Sequence, residues 1–159
     1  SLGGQDYDSR QKILRDSNVG VFGTLALTSS FLLRYTLISK LDTDFSMLIG
    51  LLASYALGRY SILIVFNQSE VSKQSGLTKE LRKMNLRTLI LCGLFSIVWV
   101  IPAGLGATIM IVILGLALVY LLTKVIVPYN KGISGDLLGL SVQLFELLTL
   151  SIICIAFLS

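Results

Sequence analysis

The chain has 159 residues, 54% of them apolar and only 14% charged, where a soluble domain carries about 25% charged residues. With a mean hydropathy of +0.83 it reads as a single integral membrane domain over residues 1–159, which excludes the soluble globular classes. The net charge of +4 is modest, and the sequence contains no histidine, which removes His-based acid–base chemistry, His-ligated metals and Ser-His-Asp triads and leaves such work to Asp, Glu, Lys or Tyr.

Residues 1–18 are polar and are not a signal peptide. Beginning Ser-Leu-Gly-Gly without an initiator Met, they read as the interior of a longer protein. Five apolar runs follow at 19–38, 45–66, 86–103, 107–127 and 137–158, each near the ~20 residues that cross ~30 Å of hydrocarbon. The runs are continuous rather than alternating, so helices are expected and barrel strands are not. The predicted fold is all-α, a polytopic transmembrane helix bundle of about five spans. Gly, Ser and Thr scattered through the runs allow close helix packing in lipid. Pro102, Gly104 and Gly106 predict a tight turn between the third and fourth spans, and Pro128 and Gly132 a break before the fifth. Cys92 and Cys154 lie inside apolar runs without a zinc-like spacing, and read as small core residues.

The connecting segments differ in charge. Residues 1–18, 67–85 and 128–136 hold Arg10, Lys12, Arg15, Lys73, Lys79, Arg82, Lys83 and Lys131, with Arg87 and Lys124 at adjoining span ends. The opposite side has Lys40, plus Arg34, which is expected to snorkel outward. The positive-inside rule makes the first side cytoplasmic, and ties the basic charge to topology rather than to nucleic acid. Asp16, Ser17, Arg59, Ser134, Gly135, Asp136 and Glu146 then gather toward one leaflet, as a cytoplasm-facing site within a helix bundle would require.

Asp136, Gln143 and Glu146 are spaced i, i+7, i+10, which puts them within about 80° of one another on one helical face. A polar stripe on a membrane helix must look into the bundle or a wet cavity, and a carboxylate ten residues inside either marks a site or is bonded to a neighbouring helix. Arg59, always charged and inside an apolar run, would cost ~2.5–3.5 kcal/mol if unpaired at the bilayer centre. It needs either a carboxylate, Glu146 or Asp136, or a phosphate, and either reading sets spans two and five side by side. Gly20 and Gly23 follow Asp16-Ser17, and Gly132 and Gly135 precede Asp136. Such corners open a helix N-terminus to an anion. Asp16 and Asp136 are oxygen donors suited to Mg²⁺, which binds through a few carboxylates plus substrate phosphates, although Asp16 also suits an N-cap. Lys73 and Gly76 share a basic loop that can meet an anionic ligand.

Three segments in order resemble the cobalamin synthase (adenosylcobinamide-GDP ribazoletransferase) family. Arg15-Asp16-Ser17 with Gly20 and Gly23 is similar to that family's Arg/Lys-Asp-Ser-x-x-Gly-x-x-Gly pattern. Gly58-Arg59, followed by Lys73 to Gly76-Leu77, resembles its Gly/Pro-Arg within a span and the basic loop after it. Residues 131–146 resemble its Gly-x-Thr-Gly-Asp-x-Leu-Gly-Ala corner, with Ser134 for Thr, Leu140 for Ala, and Gln143 and Glu146 matching. The family's aspartate-rich element, His-x-Asp-Gly-Leu-Ala-Asp-x-x-Asp-Gly, is not within these residues. Its place would be upstream of residue 1, so the resemblance implies the C-terminal part of such an enzyme.

The resemblance implies a multi-pass enzyme of the cell inner membrane that joins α-ribazole, or its 5′-phosphate, to adenosylcobinamide-GDP and releases GMP in the last stage of cobalamin biosynthesis. It implies Mg²⁺ as cofactor, held by Asp16 and Asp136, and the lipid bilayer as surroundings; a homo-oligomer is left open. Asp136 and Glu146 are then the catalytic candidates, Asp136 as metal ligand or base and Glu146 as base or support. Arg15, Ser17, Arg59, Lys73, Lys131, Ser134, Gly135 and Gln143 are the substrate-binding candidates. The alternative is a transporter or an ion- or proton-relay subunit using Glu146 and Arg59, against which stands the lack of a visible inverted repeat.

Overall fold

The computed structural model describes residues 21–68, 84–129, 133 and 135–158. The chain divides into two compact units, Ser1–Leu33 and Arg34–Ser159. The described part of the first unit is the opening of helix α1, Val21–Ser39, and the end of α1 from Arg34 onward belongs to the second. The second unit continues with α2, Asp44–Gln68, α3, Leu86–Val98, α4, Leu105–Tyr120, and α5, Gly135–Leu158. Among the described residues three stretches are long and apolar enough to cross a membrane, α2, α5 and Leu105–Ile126, while α3 is apolar but shorter. The architecture is the polytopic, all-helical membrane bundle expected from hydropathy.

Local chemistry sets the helix ends. Thr43 and Ser46 cap α2 reciprocally: the Ser46 N–H donates to Thr43 Oγ1 at 3.0 Å and the Thr43 N–H to Ser46 Oγ at 3.2 Å, satisfying two N–H groups that no helical carbonyl reaches. The expected third span, 86–103, is α-helical only through Val98. Pro102 then sits in a 3₁₀ turn, Ile101–Ala103, and Gly104 at φ 100° reverses the chain into α4. That backbone angle is open to glycine at little cost. Gly106 is already inside α4 and takes no part in the turn.

One feature of α4 is not visible in its hydropathy. After Tyr120 the helix widens into a π turn, Leu121–Ile126, before a last α-helical turn at Val127–Tyr129. The buried positions Ala107, Ile111, Gly115, Val119, Thr123 and Val127 recur every four residues. On an α-helix each such step drifts about 40° around the axis. The wider π turn rotates less per residue and takes back part of that drift, so Leu122, Thr123 and Val127 still face inward.

The most extensive packing is between α2 and α5. Ser46, Gly50, Ser54, Gly58 and Ser61 put small buried side chains at every third or fourth position of α2, which is how membrane helices bring their backbones together. Ser61 Oγ lies 3.2 Å from Ser141 Oγ on α5, and each hydroxyl also donates to a carbonyl of its own helix. Apolar clusters flank this seam. Ala53, Leu57, Val100, Ala107, Ile111, Ile152 and Ile153 form one, and Val65, Phe66, Leu122, Val127, Ile133, Leu137 and Leu138 another. The seam holds a face of α5 that carries Glu146 against α2 at Gly58.

Candidate functional site

Glu146 is the centre of the polar constellation. Its side chain is only 7% exposed, and its Oε2 accepts a hydrogen bond at 2.7 Å from Arg34 Nη2, closing an ion pair between α5 and the end of α1. The same nitrogen donates to Gln143 Oε1, one turn earlier on α5. The stem of the glutamate lies on the bare backbone of α2: a Cβ placed on Gly58 would stand 2.7 Å from Glu146 Cγ and 3.1 Å from Oε1. Only glycine admits the carboxylate at this depth, and this close approach is the physical meaning of the Gly58-Arg59 pair.

Arg34 corrects one expectation. Its place near a span end predicts an outward-snorkelling residue, yet it turns inward and is 26% exposed. Lying five residues from the end of α1, it could have reached a head group; a buried carboxylate offers a better partner, because each ion removes the other's cost in hydrocarbon. The sequence carried one signal for this: two arginines, Arg34 and Arg59, lie inside apolar runs that hold a single deep carboxylate.

Arg59 is exposed and makes no ion pair among the described residues, so the expected pair with Glu146 or Asp136 is not formed. It also lines an open groove of about 610 Å³ between α2 and α3, whose other walls are mainly apolar and include Tyr60, Leu63, Leu91 and Phe95. The relay alternative, built on Glu146 with Arg59, is not favoured by an arrangement in which Arg34 takes the carboxylate.

Asp136 stands in the first turn of α5, exposed, its side chain making neither a hydrogen bond nor an ion pair to any described residue. Gly135 is the first residue of that helix and is also exposed. Asp136, Gly139, Leu140 and Gln143 form one exposed strip of α5 that runs down to the buried Glu146, as the i, i+7, i+10 spacing predicted. Arg15, Asp16, Ser17, Lys73, Lys131 and Ser134 lie outside the described residues. Among the described residues no group of three or more Cys, Asp or Glu converges to hold a metal ion. Asp136 is a single exposed carboxylate at the start of the helix, a hard oxygen donor with no second carboxylate beside it among the described residues.

Comparison with known proteins adds an independent line. The sequence model of the family described as cobalamin-5-phosphate synthase matches residues 1–154. Proteins named adenosylcobinamide-GDP ribazoletransferase are similar to this chain. The one from Ralstonia pickettii is 30% identical over 151 residues, covering 93% of this chain and 59% of the relative. The one from Clostridium botulinum strain Loch Maree is 31% identical over 152 residues, covering 94% and 60%. The one from Pseudoalteromonas atlantica is 27% identical over 153 residues, covering 92% and 56%. The chain thus spans somewhat over half the length of these curated relatives. No solved structure matches it. With the helical membrane fold, the exposed Asp136 strip and a family match over nearly every residue, this chain belongs to the cobalamin-5-phosphate synthase family.

Proposed function

We propose that the protein transfers the adenosylcobinamide phosphoryl group from adenosylcobinamide-GDP to a hydroxyl of α-ribazole, or of its 5′-phosphate, and releases GMP, in the last stage of cobalamin biosynthesis. The observation that carries this reading is the family match over residues 1–154, whose curated relatives bear the name of that transferase. In the reaction the acceptor oxygen bonds to the phosphorus that carries cobinamide, the bond from that phosphorus to the bridging oxygen breaks, and GMP departs with the bridging oxygen. The acceptor's proton goes to a base.

The residues of α5 suit these demands. Gly135 and Asp136 open the helix, where backbone N–H groups favour a phosphate. Mg²⁺ would be held by Asp136, with Asp16 as the second carboxylate, and would neutralise diphosphate charge. Gln143 offers a polar contact within the same strip, Arg59 a cation for a phosphate oxygen, and Glu146 holds Arg34 and its surroundings in place. Lys131, Ser134, Arg15, Ser17 and Lys73 are proposed to complete the substrate contacts. The protein is placed in the cell inner membrane with this side toward the cytoplasm, on the strength of its basic connecting segments.

The test is reconstitution of the native full-length protein in liposomes with adenosylcobinamide-GDP, α-ribazole and Mg²⁺. Release of GMP in step with the ribazole-bearing corrinoid is expected. Absence of both products from a folded, reconstituted protein overturns the assignment.

A further inference from the structure

The groove between α2 and α3 joins one cation to apolar walls. At about 610 Å³ it falls in the size range of small-molecule sites, roughly 300–1,000 Å³. The Arg59 guanidinium is the only charged group lining it among the described residues, and Arg59 is exposed without an ion pair to any of them. The walls are Tyr60 and Leu63 from α2 and Leu91 and Phe95 from α3. Tyr60 is braced across the two helices, because a Cβ on Gly93 of α3 would stand 2.7 Å from its Cζ. The Ser96 hydroxyl is turned to the backbone, donating to the Cys92 carbonyl at 2.8 Å and lying 3.4 Å from that of Ala56. The groove thus offers a cation and few groups that could read a polar edge.

Such a lining selects its occupant. A phosphate meets a guanidinium through charge-assisted hydrogen bonds. A base with donors and acceptors on its outer edge, such as a purine, would lose its water against these walls and find few partners in exchange. A fused-ring base with a hydrocarbon edge has no such groups to strand, and packs on aromatic and aliphatic side chains.

We propose that the α2–α3 groove seats the acceptor: it binds a nucleoside monophosphate with an apolar fused-ring base, Arg59 on the phosphate and Leu91 and Phe95 against the base. Of the substrates proposed above this is α-ribazole in its 5′-phosphate form. The inference rests on that reading, and adds which acceptor form is preferred and which residues distinguish it. The polar-edged guanine of the donor is left to another part of the protein.

The experiment uses the native full-length protein in nanodiscs, with calorimetry of α-ribazole 5′-phosphate and of α-ribazole, each without donor. The parent is expected to bind the phosphate form more tightly. Arg59→Gln should weaken that form about tenfold or more, the loss of a charge-assisted contact, and unphosphorylated α-ribazole by less than about twofold. Leu91→Ala, at an exposed position on the facing helix, should weaken both forms alike, by about fivefold. Adenosine 5′-monophosphate, with the same phosphate and a polar-edged base, should fail to displace α-ribazole 5′-phosphate at equal concentration. An Arg59→Gln protein that binds the phosphate form as tightly as the parent overturns the proposal, as does a parent that binds neither form. So does an equal loss for both forms, which would make the arginine structural, and so does displacement by adenosine 5′-monophosphate, which would leave a bare phosphate site. If Arg59→Gln does not fold, Leu91→Ala decides: unchanged affinity there means that the groove holds only a lipid chain, and overturns the proposal. The two readings fail separately. Arg59-dependent binding in a parent that releases no GMP refutes the transfer and keeps the groove. GMP release with the acceptor KM unmoved in both variants refutes the groove and keeps the transfer.

Discussion

Gly58→Ala adds one methyl group where α2 meets Glu146. In an exposed helix this change stabilises by about 0.8–1.0 kcal/mol, because glycine is the poorer helix former. At Gly58 the new Cβ would lie 2.7 Å from Glu146 Cγ and 3.3 Å from Cδ, well inside contact distance, so the glutamate must move. Overpacking of this kind costs roughly 1–3 kcal/mol, and the displaced carboxylate also loosens its 2.7 Å bond to Arg34. The balance is a net loss of about 1–2 kcal/mol. Thermal unfolding in detergent, followed by a thiol-reactive fluorophore reaching the buried Cys154, which is 2% exposed, measures it. Gly139→Ala is the internal control: it lies within α5, a Cβ there would meet nothing within 4 Å, and the helix-propensity gain should appear undiminished. If Gly58→Ala proves as stable as Gly139→Ala, Glu146 does not rest on the α2 backbone and the site geometry is refuted.

Glu146→Ala should destabilise more than Gly58→Ala, by roughly 3–5 kcal/mol, because it strands Arg34 in a part-buried setting; adding Arg34→Gln to it should recover a good part of that loss in the same unfolding assay. Asp136→Asn should leave stability within about 0.5 kcal/mol, as exposed substitutions usually do, while GMP release by the full-length protein falls by about a hundredfold or more, the scale of a lost acid–base or charge-stabilising group. Ser61→Ala with Ser141→Ala, compared with each single change, should show a coupling of only about 0.6 kcal/mol, typical of a polar contact between membrane helices; a coupling several times larger would mean that the hydroxyl pair, rather than the small-residue seam, fastens α2 to α5.

The sequence made the helices legible because hydropathy is local. The runs at 45–66 and 137–158 became Asp44–Gln68 and Gly135–Leu158, moved by two residues at most, with the Thr43 cap lying just outside the first apolar stretch. The strip from Asp136 to Glu146 was legible for the same reason, as its spacing is a property of one helix. What could not be read was partner choice. Arg34 and Glu146 are 112 positions apart, and nothing near either residue distinguishes a salt bridge with Arg34 from one with Arg59. Gly58 decided it by letting the carboxylate stem lie flat on α2 while Arg59 points into the α2–α3 groove. The π turn was hidden differently. Its signal, burial every four residues from Ala107 to Val127, emerges only when the inward face is known.

The pairing of Arg34 with Glu146 bears on how the protein is made. Chains are synthesised from the N-terminus at about 5–20 residues per second, so the 112 positions between the two residues amount to a delay on the order of ten seconds. Throughout that interval α1 carries its guanidinium without the carboxylate that will answer it, and can hold it only at the lipid head groups. Helix α5, made after the other described helices, supplies the counter-ion and, through Gly58, its seat on α2. Arrival of α5 is therefore the step that draws Arg34 inward, and a nascent chain that stops before it would present quality-control proteases with an unmatched charge.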